Sequence, residues 1–203
     1  MPDYVETEIK LYVHDLDEVA ARLTAAGATL TAPRVYERNV RYENAARSLT
    51  PSGIVLRLRA DTRSRLTYKE EHGQPIEGDV AYSRFEAEVE VSDFDAMHTI
   101  LEHLGFQPYM TYEKYRTTYT LDGGEIVLDE MPYGTFVEIE GQPEVIADLL
   151  VRLDLETAPR FRESYTALFD RVRRRLRLTF ADLTFANFEG VDVPASALLQ
   201  PED

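Results

Sequence analysis

Apolar and polar residues alternate with a period of two through most of this chain, the spacing of half-buried strands. In the first such run Val5, Ile9 and Leu11 point one way, while Glu6, Glu8 and Lys10 point the other. The pattern predicts strands near residues 3–13, 35–43, 53–60 and 65–71, and again near 83–91, 110–120, 125–130 and 135–141. Helical spacing predicts helices near 16–26, 94–104, 143–153 and 159–176. Asp15 reads as the N-cap of the first, with Glu18 at the capping-box position and Gly27 ending it. Asp93 and Gly105 frame the second, whose Met97, Ile100, Leu101 and Leu104 form one apolar stripe.

Each half thus reads strand, helix, strand, hairpin, and short segments correspond in order. Glu6-Thr-Glu8-Ile-Lys10 matches Glu86-Ala-Glu88-Val-Glu90, Asp15-Leu-Asp17 matches Asp93-Phe-Asp95, and Glu37 matches Glu113. Two four-stranded halves wrapped face to face predict an α+β fold: an eight-stranded, mostly antiparallel β-barrel with helices packed outside.

Charge then decides which face is inside. Arg57 and Arg59 share a face against Ile54, Leu56 and Leu58, and Lys69 opposes Leu66 and Tyr68. Arg84, Glu86, Glu88 and Glu90 oppose Phe85, Val89 and Val91; Lys114 and Arg116 oppose Tyr115 and Tyr119; Glu138 and Glu140 oppose Val137 and Ile139. External helices need the apolar faces, so the charged faces are expected inside the barrel. The first-half hairpin is cationic and the second-half hairpin, with Asp129, Glu138 and Glu140, is anionic. A basic wall suits a polyphosphate and an acidic wall suits hard divalent cations. A metal–triphosphate complex accounts for both walls together.

The formal charge of −15 argues against non-specific binding to nucleic acid or to an anionic membrane. The chain has no cysteine, which excludes disulfides and thiolate metal sites. It shows neither a signal peptide nor an apolar run of membrane-spanning length, and a cytoplasmic location is expected.

Taken in order, Glu6-x-Glu8-x-Lys10, Leu56-Arg57-Leu58-Arg59, Leu66-Thr-Tyr-Lys69, Ser83-Arg84-x-Glu86-x-Glu88, Lys114-x-Arg116 and Glu138-x-Glu140 resemble the CYTH family, also called triphosphate tunnel metalloenzymes. The resemblance covers roughly residues 3–170. It implies a domain over 1–177 whose tunnel binds a triphosphate through Lys10, Arg57, Arg59, Lys69 and Arg116, with Arg84 and Lys114 beside them. It implies one or two Mg²⁺ or Mn²⁺ ions held by Glu6, Glu8, Asp129, Glu138 and Glu140, with Glu86 and Glu88 supporting the cations. Ser164-Tyr165 resembles a pair near the family's C-terminal helix. Some thiamine triphosphatases are thought to use a tyrosine beside the lysine equivalent to Lys69. Here alternation puts Arg41 rather than Tyr42 on the face of Glu37 and Asn39, so Lys69 and Arg41 are the candidate catalytic residues.

The activity this implies is metal-dependent hydrolysis of tripolyphosphate or an organic triphosphate such as ATP or thiamine triphosphate. Class IV adenylyl cyclase is the alternative, and a non-catalytic polyphosphate binder the third reading. Crowded carboxylates on the acidic wall are expected to hold protons readily, and Arg57 and Arg59 to favour neutral Lys69 as an alkaline base. Residues 178–203 read as an extension for packing or oligomer contact, which leaves a homodimer open. His14, His72, His98 and His103 lack metal-site spacing, and the run Arg171, Arg173, Arg174, Arg175 and Arg177 reads as a solvated helix end. Glu71–Asp79 is expected to be a mobile loop joining the halves.

Overall fold

The alternating segments form one antiparallel sheet in a computed structural model that describes the backbone of residues 5–71 and 82–200 and the side chains of 7–70 and 85–200. The first half runs β1 (Val5–Val13), α1 (Leu16–Ala25), β2 (Thr29–Asn44), β3 (Ile54–Ala60) and β4 (Ser64–Glu71). The second runs β5 (Tyr82–Val91), α2 (Phe94–His103), β6 (Phe106–Leu121), β7 (Gly124–Met131) and β8 (Gly134–Glu140). After them come α3 (Pro143–Arg152), β9 (Arg160–Phe161), α4 (Tyr165–Leu176) and α5 (Ser196–Leu199). Most of the joining loop expected at Glu71–Asp79, including His72, lies outside the described residues.

The spatial order is β5-β4-β3-β2-β6-β7-β8-β1-β9. Exchanging each strand of the first half for its counterpart in the second turns the first eight strands of this order into its reverse. The repeat read from short matches is therefore a repeat of topology, with each half's first strand lying beside the other half's last. Helix ends repeat too: Asp15 and Asp93 accept hydrogen bonds from the Glu18 and Ala96 amides, and Gly27 and Gly105 follow at φ +84° and +91°.

One edge of β1 pairs with β8 from Glu8 to Val13. Its other edge pairs with β5 over Val5–Glu8 and then with β9 at Lys10 and Leu11. The sheet thus meets itself over a short stretch and is not closed along its whole length. β9 also corrects the last helix, predicted from 159. Arg160 and Phe161 are drawn into pairing with β1, and α4 starts only after its N-cap Ser164, whose hydroxyl accepts from the Ala167 amide.

The two central strands are longer than predicted, because β2 continues back through Pro33 and β6 through Pro108. Both prolines sit at register shifts: Ala32–Val35 against Thr118–Arg116, and Arg41–Tyr42 against Met110–Pro108. Proline has no amide hydrogen for the ladder, so a bulge lets the strand run on past it. The second bulge adds Tyr109 to β6 and leaves the alternation of β2 intact. Arg41 therefore faces inward, while Tyr42 lies outward with its hydroxyl 2.6 Å from His98 Nδ1.

Apolar alternate positions pack the helices as expected. Ile9, Leu11, Ile126, Leu128, Val137 and Ile139 meet α1 and α3 through Val19, Leu23, Ile146 and Leu149. Val40, Tyr42 and Leu58 meet α2. A third cluster joins Tyr12, Met110, Tyr112 and Phe136 to α4 and to Leu183, Phe188 and Leu198 of the tail. Arg171 and Arg175 donate to Leu198, Ser196, Ala197 and Gln200 carbonyls, so these two arginines fasten the tail rather than merely end a helix in water. Among the described residues no helix is long and apolar enough to cross a membrane.

The inner face is charged and buried. Lys10, Glu37, Arg57, Arg59, Lys114 and Asp129 are all withdrawn from solvent. Glu37, only 3% exposed, lies 3.6 Å from both Arg59 and Lys114. Burial works to raise its pKa, but Lys114, Arg59, Arg116 and Arg57 outweigh it and hold Glu37 far below the ordinary carboxylate range. A depressed carboxylate gives stability that is present above its unfolded pKa, near 4.5, and lost as pH falls towards the folded value. Glu37→Gln should therefore cost about 3 kcal/mol in chemical denaturation at pH 7, because it leaves two buried cations facing each other. The difference from the parent should narrow below about pH 4. Equal stability of the two proteins at pH 7 would show that Glu37 does not hold the inner wall.

Candidate active site

Register places the cations. Arg57 and Arg59 on β3 stand opposite Thr67 and Arg65 on β4, and Val55 stands opposite Lys69. β2 sets Arg41 beside Arg57 and Asn39 beside Arg59. Arg41, Val55, Arg57, Arg59, Arg65 and Lys69 line a cavity of about 220 Å³, joined from the other side by Lys10, Lys114 and Arg116. Arg57 donates to the Tyr112 hydroxyl at 2.9 Å and to Thr67 at 3.2 Å.

The supporting acids come from β5. Glu86 pairs with Lys69. Glu88 accepts from Thr67 at 2.7 Å and lies 3.5 Å from Arg65 and 3.7 Å from Arg57. Even so, the Nε atoms of Arg41, Arg57, Arg59 and Arg65 are buried with no hydrogen-bond partner among the described residues. Burial, with Arg57 close by, also pulls the Arg59 pKa down despite Glu37.

A second cluster lies across the cavity. Asp129, fully buried, receives Lys114 at 3.0 Å, Arg116 at 2.7 and 2.5 Å, and the Tyr165 hydroxyl at 2.8 Å. Glu138 lies 3.2 Å from Lys10 and 2.6 Å from Arg116. Burial acts to raise Glu138, but Lys10, Arg116 and Lys114 hold it well below the carboxylate range. For Glu138 the expectation that crowded carboxylates would take up protons fails, because this acid sits among bases. The expected separation into a basic and an acidic wall fails for the same reason: β5 sets acids beside the cationic hairpin, and β6 sets Lys114 and Arg116 beside the anionic one. Lys69, expected to lean towards its neutral form, is ion-paired with Glu86.

Whether these residues suit a divalent cation turns on the remaining acids. Glu8 stands opposite Glu140 on β8, and Glu140 stands opposite Glu125 on β7. All three line the cavity. Like charges directly across a sheet repel, and carboxylate oxygens are the donors Mg²⁺ and Mn²⁺ prefer. The donor chemistry fits, although no three acids or histidines among the described residues are already drawn together as a metal cage. Glu6 and Arg84 pair through their backbones, and their side chains lie outside the described residues.

Arg41 and Lys69 line both this cavity and an adjoining one of about 530 Å³. Arg41 donates to Thr166 at 2.5 Å and lies 5.3 Å from the Tyr109 ring. The adjoining chamber is walled by Ile54, Tyr109, Met110 and the first turns of α4. Ser164, Tyr165 and Thr166 reach the smaller cavity from the N-terminus of α4. The sequence reading passed over four polar residues that line the smaller cavity. Arg65 and Glu125 carried a usable signal, since alternation puts them on the faces of Lys69 and Asp129. Tyr112 and Thr166 carried none, because an aromatic and a hydroxyl on an inner face look like packing.

The CYTH domain matches residues 5–159. Solved structures that share the fold include the following three. A candidate adenylate cyclase from Vibrio parahaemolyticus is 19% identical with a TM-score of 0.72, covering 81% of this chain and 97% of its own. The PH1819 protein from Pyrococcus horikoshii is 28% identical with a TM-score of 0.64 and the same coverage. A candidate adenylyl cyclase from Hippeastrum, for which a dominant triphosphatase activity is described, is 20% identical with a TM-score of 0.59, covering 81% of this chain and 95% of its own. Among curated proteins none matches. With the antiparallel sheet, the external helices and the charged inner face already in place, a match over residues 5–159 means that the chain belongs to the CYTH family.

Proposed function

We propose that this protein is a divalent-metal-dependent triphosphatase that binds its substrate in the charged cavity. The observation that carries this reading is the set of buried, unpartnered Nε donors on Arg41, Arg57, Arg59 and Arg65. Leaving a buried donor unmade is costly, and a polyphosphate presents many anionic acceptors at close spacing. Lys69 and Arg116 add charge along the same cavity. Glu86 and Glu88 hold the β3–β4 cations in place, and Asp129 does so for Lys114 and Arg116. With both oxygens engaged, Asp129 is better assigned to positioning than to the metal set expected from sequence.

Glu8 and Glu140, with Glu6 and Glu138, would hold Mg²⁺ or Mn²⁺, which would neutralise phosphate oxygens and lower the pKa of water. In hydrolysis a water oxygen bonds to the terminal phosphorus, the bridging P–O bond breaks with its electron pair leaving on the departing phosphate chain, and the water's proton passes to solvent. Arg57, Arg59, Arg41 and Lys69 stabilise that growing charge without reorganising. The adjoining chamber past Arg41 and Lys69 gives room for the organic group of a nucleoside or thiamine triphosphate. The same chamber keeps ATP cyclisation as the second reading, since it is large enough for a nucleoside. The names of the Vibrio and Hippeastrum proteins span both chemistries.

Incubation with Mg²⁺ or Mn²⁺ and tripolyphosphate, ATP or thiamine triphosphate should release phosphate. Pyrophosphate with cyclic AMP would instead select cyclisation, and binding without any product would remove the enzymatic reading. Arg57→Ala and Arg59→Ala should each weaken tripolyphosphate and ATP by similar factors, about tenfold or more, in calorimetric titration. A loss confined to ATP would place these arginines on the base or sugar. Glu140→Gln should raise the metal concentration giving half-maximal rate, while Asp129→Asn should weaken triphosphate binding more than it changes metal demand. The reverse pattern would return Asp129 to the metal set.

A further inference from the structure

Four aromatic hydroxyls of the interior can be compared by where their hydrogens go. Tyr165 donates to Asp129 at 2.8 Å, and Tyr133 donates to the Tyr165 carbonyl at 2.8 Å. Tyr42 is hydrogen-bonded to His98 at 2.6 Å. Tyr112 differs. It is 7% exposed and lines the cavity, and its oxygen accepts from Arg57 at 2.9 Å. Among the described residues none accepts the hydrogen of its own hydroxyl. A buried donor with no acceptor is unfavourable, and Arg57 polarises this hydroxyl into a stronger donor.

We propose that Tyr112 is a substrate-contact residue that gives its hydroxyl hydrogen to an oxygen of the bound polyphosphate, relaying the pull of Arg57 onto the anion. This rests on the reading of the cavity as a triphosphate site. The contact needs the neutral phenol, because a phenolate would repel the anion. The groups facing Tyr112 are Arg57 and Arg59 from β3, Lys114 on β6 and Tyr133 from the turn after β7. β2 presents the uncharged Asn39 at its register position, with Glu37 next on that face already beside Lys114 and Arg59. The tail presents the backbone of Leu183. Burial raises the phenol's pKa, but Arg57, Lys114 and Arg59 and the Arg57 hydrogen bond outweigh it, so ionisation comes earlier than for a free tyrosine.

Titration calorimetry of tripolyphosphate against the full-length protein, Tyr112→Phe and Arg57→Ala, from pH 7 to 10, tests this. Tyr112→Phe keeps the ring in its buried cluster with Met110 and Phe136; it should lower the melting temperature modestly, because Arg57 loses an acceptor, and bind about tenfold more weakly at pH 7.5. On raising the pH, the parent should lose its advantage and its curve should converge on that of Tyr112→Phe. A purely structural tyrosine would not produce that convergence. Equal affinity of parent and Tyr112→Phe at pH 7.5, with Arg57→Ala weakened, overturns the role of Tyr112 and leaves the triphosphate site standing. A parallel rather than convergent pair of curves overturns it as well. Absence of tripolyphosphate binding by the parent overturns the site itself and this role with it.

Discussion

Keeping a row of cations charged while a sheet folds over them is the constraint on which the rest of this structure depends. Isolated charges cannot be taken out of water, so every base on the inner face needs an acid or an acceptor close by. The chain meets this strand by strand. Glu86 and Glu88 on β5 serve Lys69, Arg65 and Arg57, and Asp129 and Glu138 serve Lys114, Arg116 and Lys10. Glu37 serves two bases from opposite sides. The compensation is incomplete on the β2–β4 side, where four arginine Nε atoms are left over. That shortfall is a reason to expect an anionic ligand, since paired charges alone would specify only a fold.

Strand identity, inner face and helix caps were legible in the sequence because each is a local, periodic property. Alternation in Leu56-Arg57-Leu58-Arg59 can have only one inward set once helices must cover the other. Asp15 and Asp93 announced their helices by chemistry that acts within three residues. Less legible was whatever depended on partners distant in sequence. Pro33 and Pro108 lay outside the predicted strands at 35–43 and 110–120, but long-range pairing carried both strands past them. Arg160 and Phe161 looked like the start of a helix until β1 offered an edge.

The site shows the same division. Which residues face the cavity followed from alternation, but which residue neutralises which did not. Asp129 reads as a metal ligand by its place in a family pattern, and only the geometry reveals Lys114, Arg116 and Tyr165 closing around it. The acids and bases looked sorted onto two walls because β3–β4 and β7–β8 are hairpins of one sign. The sheet order then sets β5 and β6 beside them with the opposite sign. Glu8, Glu140 and Glu125 stand in a row of acids across three strands, where a cation would relieve repulsion.

The central claim is that the charged interior exists to hold a metal–triphosphate. A crystal structure grown with Mn²⁺ and tripolyphosphate, with anomalous data for the metal, tests it most directly. The account predicts phosphate density between Arg57, Arg59, Lys69 and Arg116, with Mn²⁺ beside Glu8 and Glu140. Phosphate bound only on the outer surface, for example at the arginines of α4, with the interior ion pairs unchanged, would contradict it.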